Sequence, residues 1–369
     1  MNFDLNDEQF MLQSLVGRFG ADHYDAARRL AYLREPDGFS RANWQLLAEA
    51  GLPAFVLPEE AGGFGGSPSD IATVMEALGR FVAVEPILPA VVMGLGLLWQ
   101  ARTSAQKEAL LPAAISGEAL LSLALFERQS RFGTENLRTA ATARGDVWAL
   151  SGSKQMVLGG SFASHFIVVA ETGSGHGARL FLVDSAAPGI RRRDYRLVDG
   201  SAASDIDFLS TPAQGMDGGA AALGATLAQV RLAISAELLG LMDMMFQTTL
   251  DYLKTRRQFG QPLGSFQALQ HRMADCYARL ELSRSQLYRA AGAGGNAAAI
   301  DAAVVGAKAY ISESALHIGQ EAVQLHGGIG TTEELLVGQA FKRVLLLSSL
   351  LGDPDTDVAT YVCLSDRQG

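Results

Sequence analysis

Residues 256–261, with the sequence RRQFGQ, and residues 324–330, with the sequence QLHGGIG, decide how this chain is expected to fold. Each stretch follows a long segment whose apolar residues recur at helical spacing, so each marks a helix end and the turn after it. Arginine can hold a pyrophosphate through paired hydrogen bonds, and glycines let backbone N–H groups approach a phosphate closely. Together the two stretches predict contacts to a nucleotide-like ligand.

Both stretches also have an ordinary structural interpretation. A basic helix end complements the helix dipole, and Phe259 would then be a core residue. A Gly-Gly-x-Gly sequence can be a plain C-cap and turn, and His326 at the helix end is expected to be structural rather than catalytic. The functional interpretation depends on finding both stretches in one chain, in this order.

Composition excludes several classes of function. The chain has 369 residues and a net charge of −9, so nucleic acid is not expected as a partner, although a local basic patch for a nucleotide-like ligand is allowed. Cys276 and Cys363 are far apart and have no metal-like spacing, so they are expected to be reduced thiols, with no metal site. The N-terminus is acidic and the longest apolar stretches are too short to span a membrane, which favours a cytoplasmic protein.

The pattern of apolar residues predicts three domains: helical residues 1–115, a region of short strands at 116–215, and long helices at 216–369. In the first domain we expect helices at residues 7–18, 43–50 and 69–81. In the second we expect strands at residues 120–126, 147–150, 164–171 and 179–183, with a linker at 211–220. In the third we expect four helices, at residues 224–256, 265–292, 297–325 and, last, 337–351.

The two quoted stretches, within this order of helices, strands and helices, resemble the C-terminal domain of the flavin-dependent acyl-CoA dehydrogenases. Residues 51–66 and 146–154 resemble a glycine-rich loop and a hairpin of the same family. The resemblance covers nearly the whole chain. It implies an α+β multidomain fold, with an N-terminal helical domain, a β-barrel-like middle domain and a C-terminal four-helix bundle.

The resemblance also implies FAD as cofactor and the α,β-desaturation of an acyl-CoA thioester as the reaction. In this family the two stretches contact the ADP half of an FAD that a neighbouring subunit holds. The positions that match these contacts are Arg256, Gln258, Phe259, Gln324 and Gly328.

The residue that the family uses as a base is missing. Family members take the α-proton of the thioester with a glutamate, either in the final loop or in the first long helix of the C-terminal domain. In this chain the first position falls on Leu351 and the second on Val230, which precedes Arg231. No catalytic base is therefore expected at the usual positions. Asp353 is a weak candidate for a relocated base, and three poorer candidates are Glu127, Glu333 and Glu334. The ordinary interpretation of Asp353-Pro354 is a turn, and that of Glu333 and Glu334 is an exposed helix start.

The residues expected beside the flavin ring have changed as well. Phe126 occupies the position of a threonine, Met156 that of a tryptophan and Leu158 that of a second threonine, and the Gly-Ser turn of the family is not evident in residues 126–133. Losing each hydroxyl donor costs about 1 kcal/mol of binding. Ring contacts are thus lost, whereas contacts to a neighbour's FAD are kept.

With this pattern of losses, the chain resembles the small, base-lacking subunit of the heteromeric bacterial acyl-CoA dehydrogenases. That resemblance implies an α2β2 assembly with a related catalytic subunit. Two alternatives stay open. One is a self-sufficient homodimer or homotetramer with Asp353 as its base. The other is a flavin-free scaffold or acyl-CoA-binding protein. The acyl chain, whether a steroid side chain, a dicarboxylic or a fatty acyl group, is not determined by the sequence.

Overall fold

Helices form the first third of the chain. The computed structural model describes residues 5–366 except 102–103, 131–132, 134–135, 146 and 174–176. The first helix begins with a capping box, in which Asn6 Oδ1 accepts from the Gln9 N–H at 2.8 Å and Gln9 Oε1 accepts from the Asn6 N–H at 3.1 Å. The helices of this region are α1 (Asp7–His23), α2 (Ala26–Arg34), α3 (Arg41–Glu49), α4 (Pro68–Arg80), a π-helical segment (Ile87–Leu95) that continues as α5 (Gly96–Gln100), and α6 (Ser104–Ile115). The three helices predicted here are confirmed.

The middle of the chain forms a closed β-barrel. Its strands are β1 (Leu121–Ala124), β2 (Ala140–Arg144), β3 (Val147–Leu158), β4 (His165–Glu171), β5 (Ala178–Asp184), β6 (Ile190–Arg196) and β7 (Ala202–Met216). Hydrogen bonds close a ring in the order β4-β2-β3-β7-β5 and back to β4, while β1 adds to β4 and β6 adds to β7. Phe166, Phe181 and Phe208 lie in its core. The four predicted strands are confirmed as β1, β3, β4 and β5, and β2, β6 and β7 add to them.

One prediction about this region is wrong. Residues 211–220 were expected to be a linker, but β7 continues to Met216, and Thr211 and Ala213 pair with Leu150 and Trp148 of β3. The glycine and alanine content suggested a loop, whereas alternate side chains of β7 are buried. The barrel therefore uses these small residues as strand residues.

Long helices form the last part of the chain: α7 (Gly219–Thr255), α8 (Gln267–Ala291), α9 (Ala297–His326), α10 (Leu336–Ser349) and α11 (Pro354–Asp366). Helix α9 packs against α8, α10 and α11. Helix α7 is long and apolar enough to cross a membrane by those two criteria alone, yet 78% of its most apolar window is buried inside the protein. That burial is typical of a core helix.

The four predicted C-terminal helices are confirmed, but the expectation that the fourth is the last is wrong. The Asp353-Pro354 sequence was interpreted as a turn, and in the structure it starts α11 instead. The Asp353 side chain accepts from the Thr356 N–H at 2.8 Å, and proline is favoured at the first position of a helix because it has no N–H to satisfy there.

Two compact units emerge from the packing of the chain. One consists of residues up to Tyr32, Ser67–Ala83 and the residues from Arg231 onward, and it contains most of the C-terminal helices. The other consists of Leu33–Gly66 and Val84–Val230, and it contains the barrel. The three domain boundaries given above stay a prediction.

Candidate functional site

The helices that carry the two diagnostic stretches meet near their C-terminal ends. The ring of Tyr252, in α7, stacks on the ring of His326, the last residue of α9, with 4.5 Å between the ring centroids. His326 is buried, and its Nδ1 donates to the carbonyl oxygen of Ala322 at 2.8 Å. Burial lowers the pKa of His326 and favours the neutral ring. Its burial and its stacking on Tyr252 agree with the expectation that this histidine is structural.

The first stretch forms a tight hairpin, with strands β8 (Arg257–Gln258) and β9 (Gln261–Pro262). Phe259 and Gly260 occupy its tip with φ of +52° and +82°, as a two-residue turn of this kind requires. Arg257 Nη2 donates to the Gly260 carbonyl at 2.9 Å and fixes the turn. The hairpin thus holds Phe259 in a backbone conformation that residues other than glycine rarely adopt.

Phe259 is not a core residue. Its side chain is 90% exposed, and its ring contact is the edge of Phe266 at 6.3 Å between centroids. An aromatic ring that costs backbone strain and gains little burial does not stabilise this fold. The structural interpretation of Phe259 is therefore wrong.

The five residues assigned to the cofactor lie on these two exposed turns. We call them the helix-end platform: Arg256, Gln258, Phe259, Gln324 and Gly328. All five are exposed. Within the described part of the chain, the side chains of Arg256, Gln258 and Gln324 have no hydrogen-bond or ionic partner, and a Cβ on Gly328 would meet nothing within 4 Å. The platform can thus offer a guanidinium, two amides and a ring to a group outside this chain.

The usual base positions are apolar and buried. Leu351 is 3% exposed, with φ of +62°, and Val230 is fully buried. Gly352, after Leu351, has φ of +142°, and a Cβ there would lie 2.3 Å from Asp357 Oδ1. No carboxylate stands at either position.

The rival base, Asp353, serves as the cap of α11. Its Oδ1 accepts from the Thr356 N–H at 2.8 Å, and its carbonyl accepts from the Asp357 N–H at 2.9 Å. A carboxylate that holds a helix start in place is explained without catalysis. The other two candidates of this region, Glu333 and Glu334, are exposed, and Glu333 pairs with Lys342.

Glu127 is a buried partner of Lys154, with 2.7 Å between the carboxylate and the ammonium and side chains that are 2% and 0% exposed. It also accepts from the N–H groups of Arg138 and Thr139 at 2.7 and 3.1 Å. Burial by itself would raise the pKa of Glu127, but these bonds outweigh it and lower the pKa to about 2. So weak a base cannot take an α-proton near neutral pH.

The positions expected to flank a flavin ring offer no side-chain hydroxyl. Phe126 and Leu158 are buried, and Met156 has φ of +50°. The residues of this chain therefore fit the phosphate and adenosine half of a dinucleotide at the platform, and do not supply the ring donors. The Gly-Ser turn sought in residues 126–133 falls partly outside the described residues.

A group of charges, two of them buried and two half-buried, lies beneath the loop at Leu351, and the sequence did not reveal it. We call it the ionic cluster: Arg231, Asp301, Lys308 and Asp357. Lys308 Nζ contacts Asp357 Oδ2 at 2.6 Å and donates to the Gly352 carbonyl at 2.7 Å. Burial lowers the pKa of Arg231, and the charges of Asp357 and Asp301 oppose that shift. Its members are separated by up to 126 positions, so no local spacing pointed to them.

Comparison with known proteins identifies the family to which these features belong. The chain matches the acyl-CoA dehydrogenase N-terminal domain over residues 6–118, the middle domain over residues 122–210 and the C-terminal domain over residues 217–358. It is 31% identical to acyl-CoA dehydrogenase IpdE2 of Mycobacterium tuberculosis, over 94% of both chains.

Similar solved structures include two whose names give two components. A variant of the Tcur3481-Tcur3483 steroid ACAD shares 33% identity over 98% of both chains, with a TM-score of 0.88. The ChsE4-ChsE5 complex from Mycobacterium tuberculosis shares 25% identity over 98% of this chain and 97% of that one, also with a TM-score of 0.88. PigA with FAD and proline shares 25% identity over the whole of both chains, with a TM-score of 0.90.

Proposed function

This chain belongs to the acyl-CoA dehydrogenase family, whose members are oxidoreductases and FAD flavoproteins, and we propose that it is the base-lacking subunit of a heteromeric member. In this proposal two copies join two copies of a related catalytic subunit. The catalytic subunit holds the flavin ring and removes the α-proton of the acyl-CoA. The present chain supplies contacts to the ADP half of the shared FAD, which when bound accepts the hydride.

One contrast carries the proposal: the platform is intact and exposed, while both base positions are buried leucine and valine. Arg256 can hold a pyrophosphate through two parallel hydrogen bonds, and the exposed ring of Phe259 can cover an adenine. Leu351 and Val230 cannot move a proton. A chain that has the contacts to the cofactor but lacks a base needs a partner that supplies the base.

The comparisons support this proposal in one respect. Two of the similar structures have names with two components, one of them given as a complex. The name of the first includes a steroid acyl-CoA dehydrogenase, so steroid thioesters are the first substrates to assay.

A homomeric enzyme with Asp353 as base is the second candidate. Asp353 is half-buried and near the family's base position, which favours it, but its carboxylate is engaged in capping α11. A flavin-free acyl-CoA-binding protein would explain Phe126 and Leu158, and would leave the exposed platform without a role.

The test is the visible spectrum of the full chain purified alone and after co-expression with a base-bearing family subunit from the same source, with released flavin counted per chain. We expect little flavin on the chain alone and about one flavin for every two chains in the complex. About one flavin per chain alone, together with acyl-CoA oxidation at a rate typical of enzymes, would refute the proposal.

A further inference from the structure

A basic groove opens on the barrel, in a region that the proposed function does not use. Its volume is about 590 Å³, which is within the usual range for small-molecule sites. Strands β3, β6 and β7 supply part of its lining, and the segment that follows β1 supplies the rest. The chain as a whole carries a charge of −9, but this lining has six basic and three acidic residues. The groove is therefore positive within a negative protein.

Strand pairing places one set of these charges on a single face of the sheet. Arg191 lies opposite Asp207 and Arg193 lies opposite Asp205 on neighbouring strands, and Ser153 of β3 lies on the other side of Asp207. Since successive side chains of a strand point to opposite faces, these five side chains share one face.

Three of the charges on and under this face are already neutralised. Arg193 Nη2 contacts Asp205 at 2.5 Å, Arg192 Nε contacts Asp194 at 2.8 Å, and the buried Lys154 pairs with Glu127. The pairing accounts for these charged residues without any ligand. Five of these six residues, all except Asp194, also line the groove.

Three arginines remain. Arg128, Arg138 and Arg191 line the groove and are exposed, and among the residues that the structure describes none has an acidic partner. The N–H of Arg138 donates to Glu127 at 2.7 Å, so the buried ion pair also fixes the backbone that carries this arginine. Two separate segments thus bring three guanidinium groups to one concavity.

Protection of an edge strand accounts for only part of this arrangement. Strand β6 pairs with β7 alone, and charged residues on such an edge discourage pairing between molecules. That explains Arg191. It does not explain Arg128 and Arg138, which lie outside the strands and line the same groove.

We propose that this groove binds the phosphate groups of a nucleotide that carries at least two phosphates, through Arg128, Arg138 and Arg191. Planar guanidinium groups match phosphate oxygens in pairs, and a concave basic surface concentrates anions. The limited volume and the acidic chain favour a small ligand over a nucleic acid. The inference does not depend on the proposed heteromer.

Titration calorimetry of the full chain with ADP, with inorganic pyrophosphate and with free CoA tests this site. We expect binding that weakens with added salt and that each of Arg128→Gln, Arg138→Gln and Arg191→Gln weakens about tenfold, the effect of losing one charge-assisted hydrogen bond. The control Arg41→Gln removes an exposed arginine that pairs with Asp37 and should change nothing.

Titrations with the different ligands distinguish a CoA carrier from a separate nucleotide as the source of the phosphates. Competition between CoA and ADP would show that the groove takes the phosphates of a CoA carrier, and ADP binding without competition would show a separate nucleotide; both support the site. Binding at the platform would weaken in Arg256→Ala and not in the three groove variants, so the two sets of variants separate the two sites. No binding of any probe, or binding that the three groove variants do not weaken, would overturn the inference, whatever the flavin count shows.

Discussion

The helix-end platform and the ionic cluster use similar residues in opposite ways. Arg256 of the platform is exposed and has no partner within the described chain, whereas Lys308 of the cluster is fully buried and lies 2.6 Å from Asp357. A buried charge is kept only when other groups neutralise it, so the cluster is explained by the stability of the loop that it holds. The exposed platform, whose Phe259 has strained backbone and whose Arg256 has no partner in the described chain, has no such explanation. The comparison therefore directs the search for function to the platform.

Strained backbone occurs at three positions that the family resemblance assigns to the site. In the described part of the chain, six residues other than glycine have positive φ, and three of them are Phe259 of the platform, Leu351 of the base position and Met156 of the ring position. Each such residue costs about 1 to 3 kcal/mol. Three of the six strained residues thus fall at positions that the family resemblance assigns to the cofactor or the base.

Breaking the ionic cluster should have the largest effect. Lys308→Met leaves Asp357 buried without its partner, and we expect the free energy of unfolding to fall by about 3 to 5 kcal/mol in urea titrations. The double variant Lys308→Met with Asp357→Leu should recover much of that loss. The control Lys254→Met alters an exposed lysine and should cost less than about 0.5 kcal/mol. Equal losses of stability in Lys308→Met and Lys254→Met would contradict a structural role for the cluster.

A second, smaller effect is expected at the other buried pair. Glu127→Gln keeps an acceptor for the Arg138 N–H but leaves Lys154 buried and unpaired, so we expect a loss of about 2 to 3 kcal/mol at pH 7. The folded-state pKa of Glu127 is about 2, below its ordinary value of 4.5. The stability that the ionised Glu127 adds is therefore complete above pH 4.5 and is lost as the pH falls toward 2. Unfolding titrations at pH 7 and pH 3 should show a smaller difference between the variant and the parent at pH 3.

The platform should show the reverse behaviour, with a change in binding and none in folding. In the two-component complex, Arg256→Ala should weaken FAD retention about tenfold, because one bidentate phosphate contact is lost. Lys254→Ala is the matched control, since it removes a neighbouring positive charge that already pairs with Asp251 at 3.2 Å. Flavin release followed by fluorescence during dialysis measures the difference. Equal retention by both variants would show that Arg256 does not contact the cofactor.

The smallest effect is expected at Asp353. Asp353→Ala removes the cap of α11 and should cost about 1 kcal/mol of stability, whereas Asp353→Asn keeps the cap and should cost a few tenths at most. Turnover of the complex should be unchanged in the asparagine variant, as measured by dye-linked oxidation of acyl-CoA. Loss of turnover with normal stability would make Asp353 the base and favour the homomeric enzyme.

Local patterns were enough to find most of the helices and strands. Capping residues, apolar periodicity and glycine at turns act over a few residues, so the beginnings of α1 and α4 and the two diagnostic turns followed from them. The same reasoning failed for residues 211–216 and for Asp353-Pro354. Small residues occur in loops and in strands, and a proline occurs in turns and at the first position of a helix. Here the pairing with β3 and the cap of α11 decide between these structures.

The sequence by itself determined the family, the order of the structural elements and the absence of a carboxylate at Leu351 and Val230, because these depend on residue identity and short-range spacing. Only the tertiary structure decided the environment of each charge. It buried Lys308 against Asp357 and Glu127 against Lys154, and it left Arg256 exposed. Burial and pairing arise between residues that are distant in the chain, and they distinguish a charge that stabilises the fold from one that is available to a ligand.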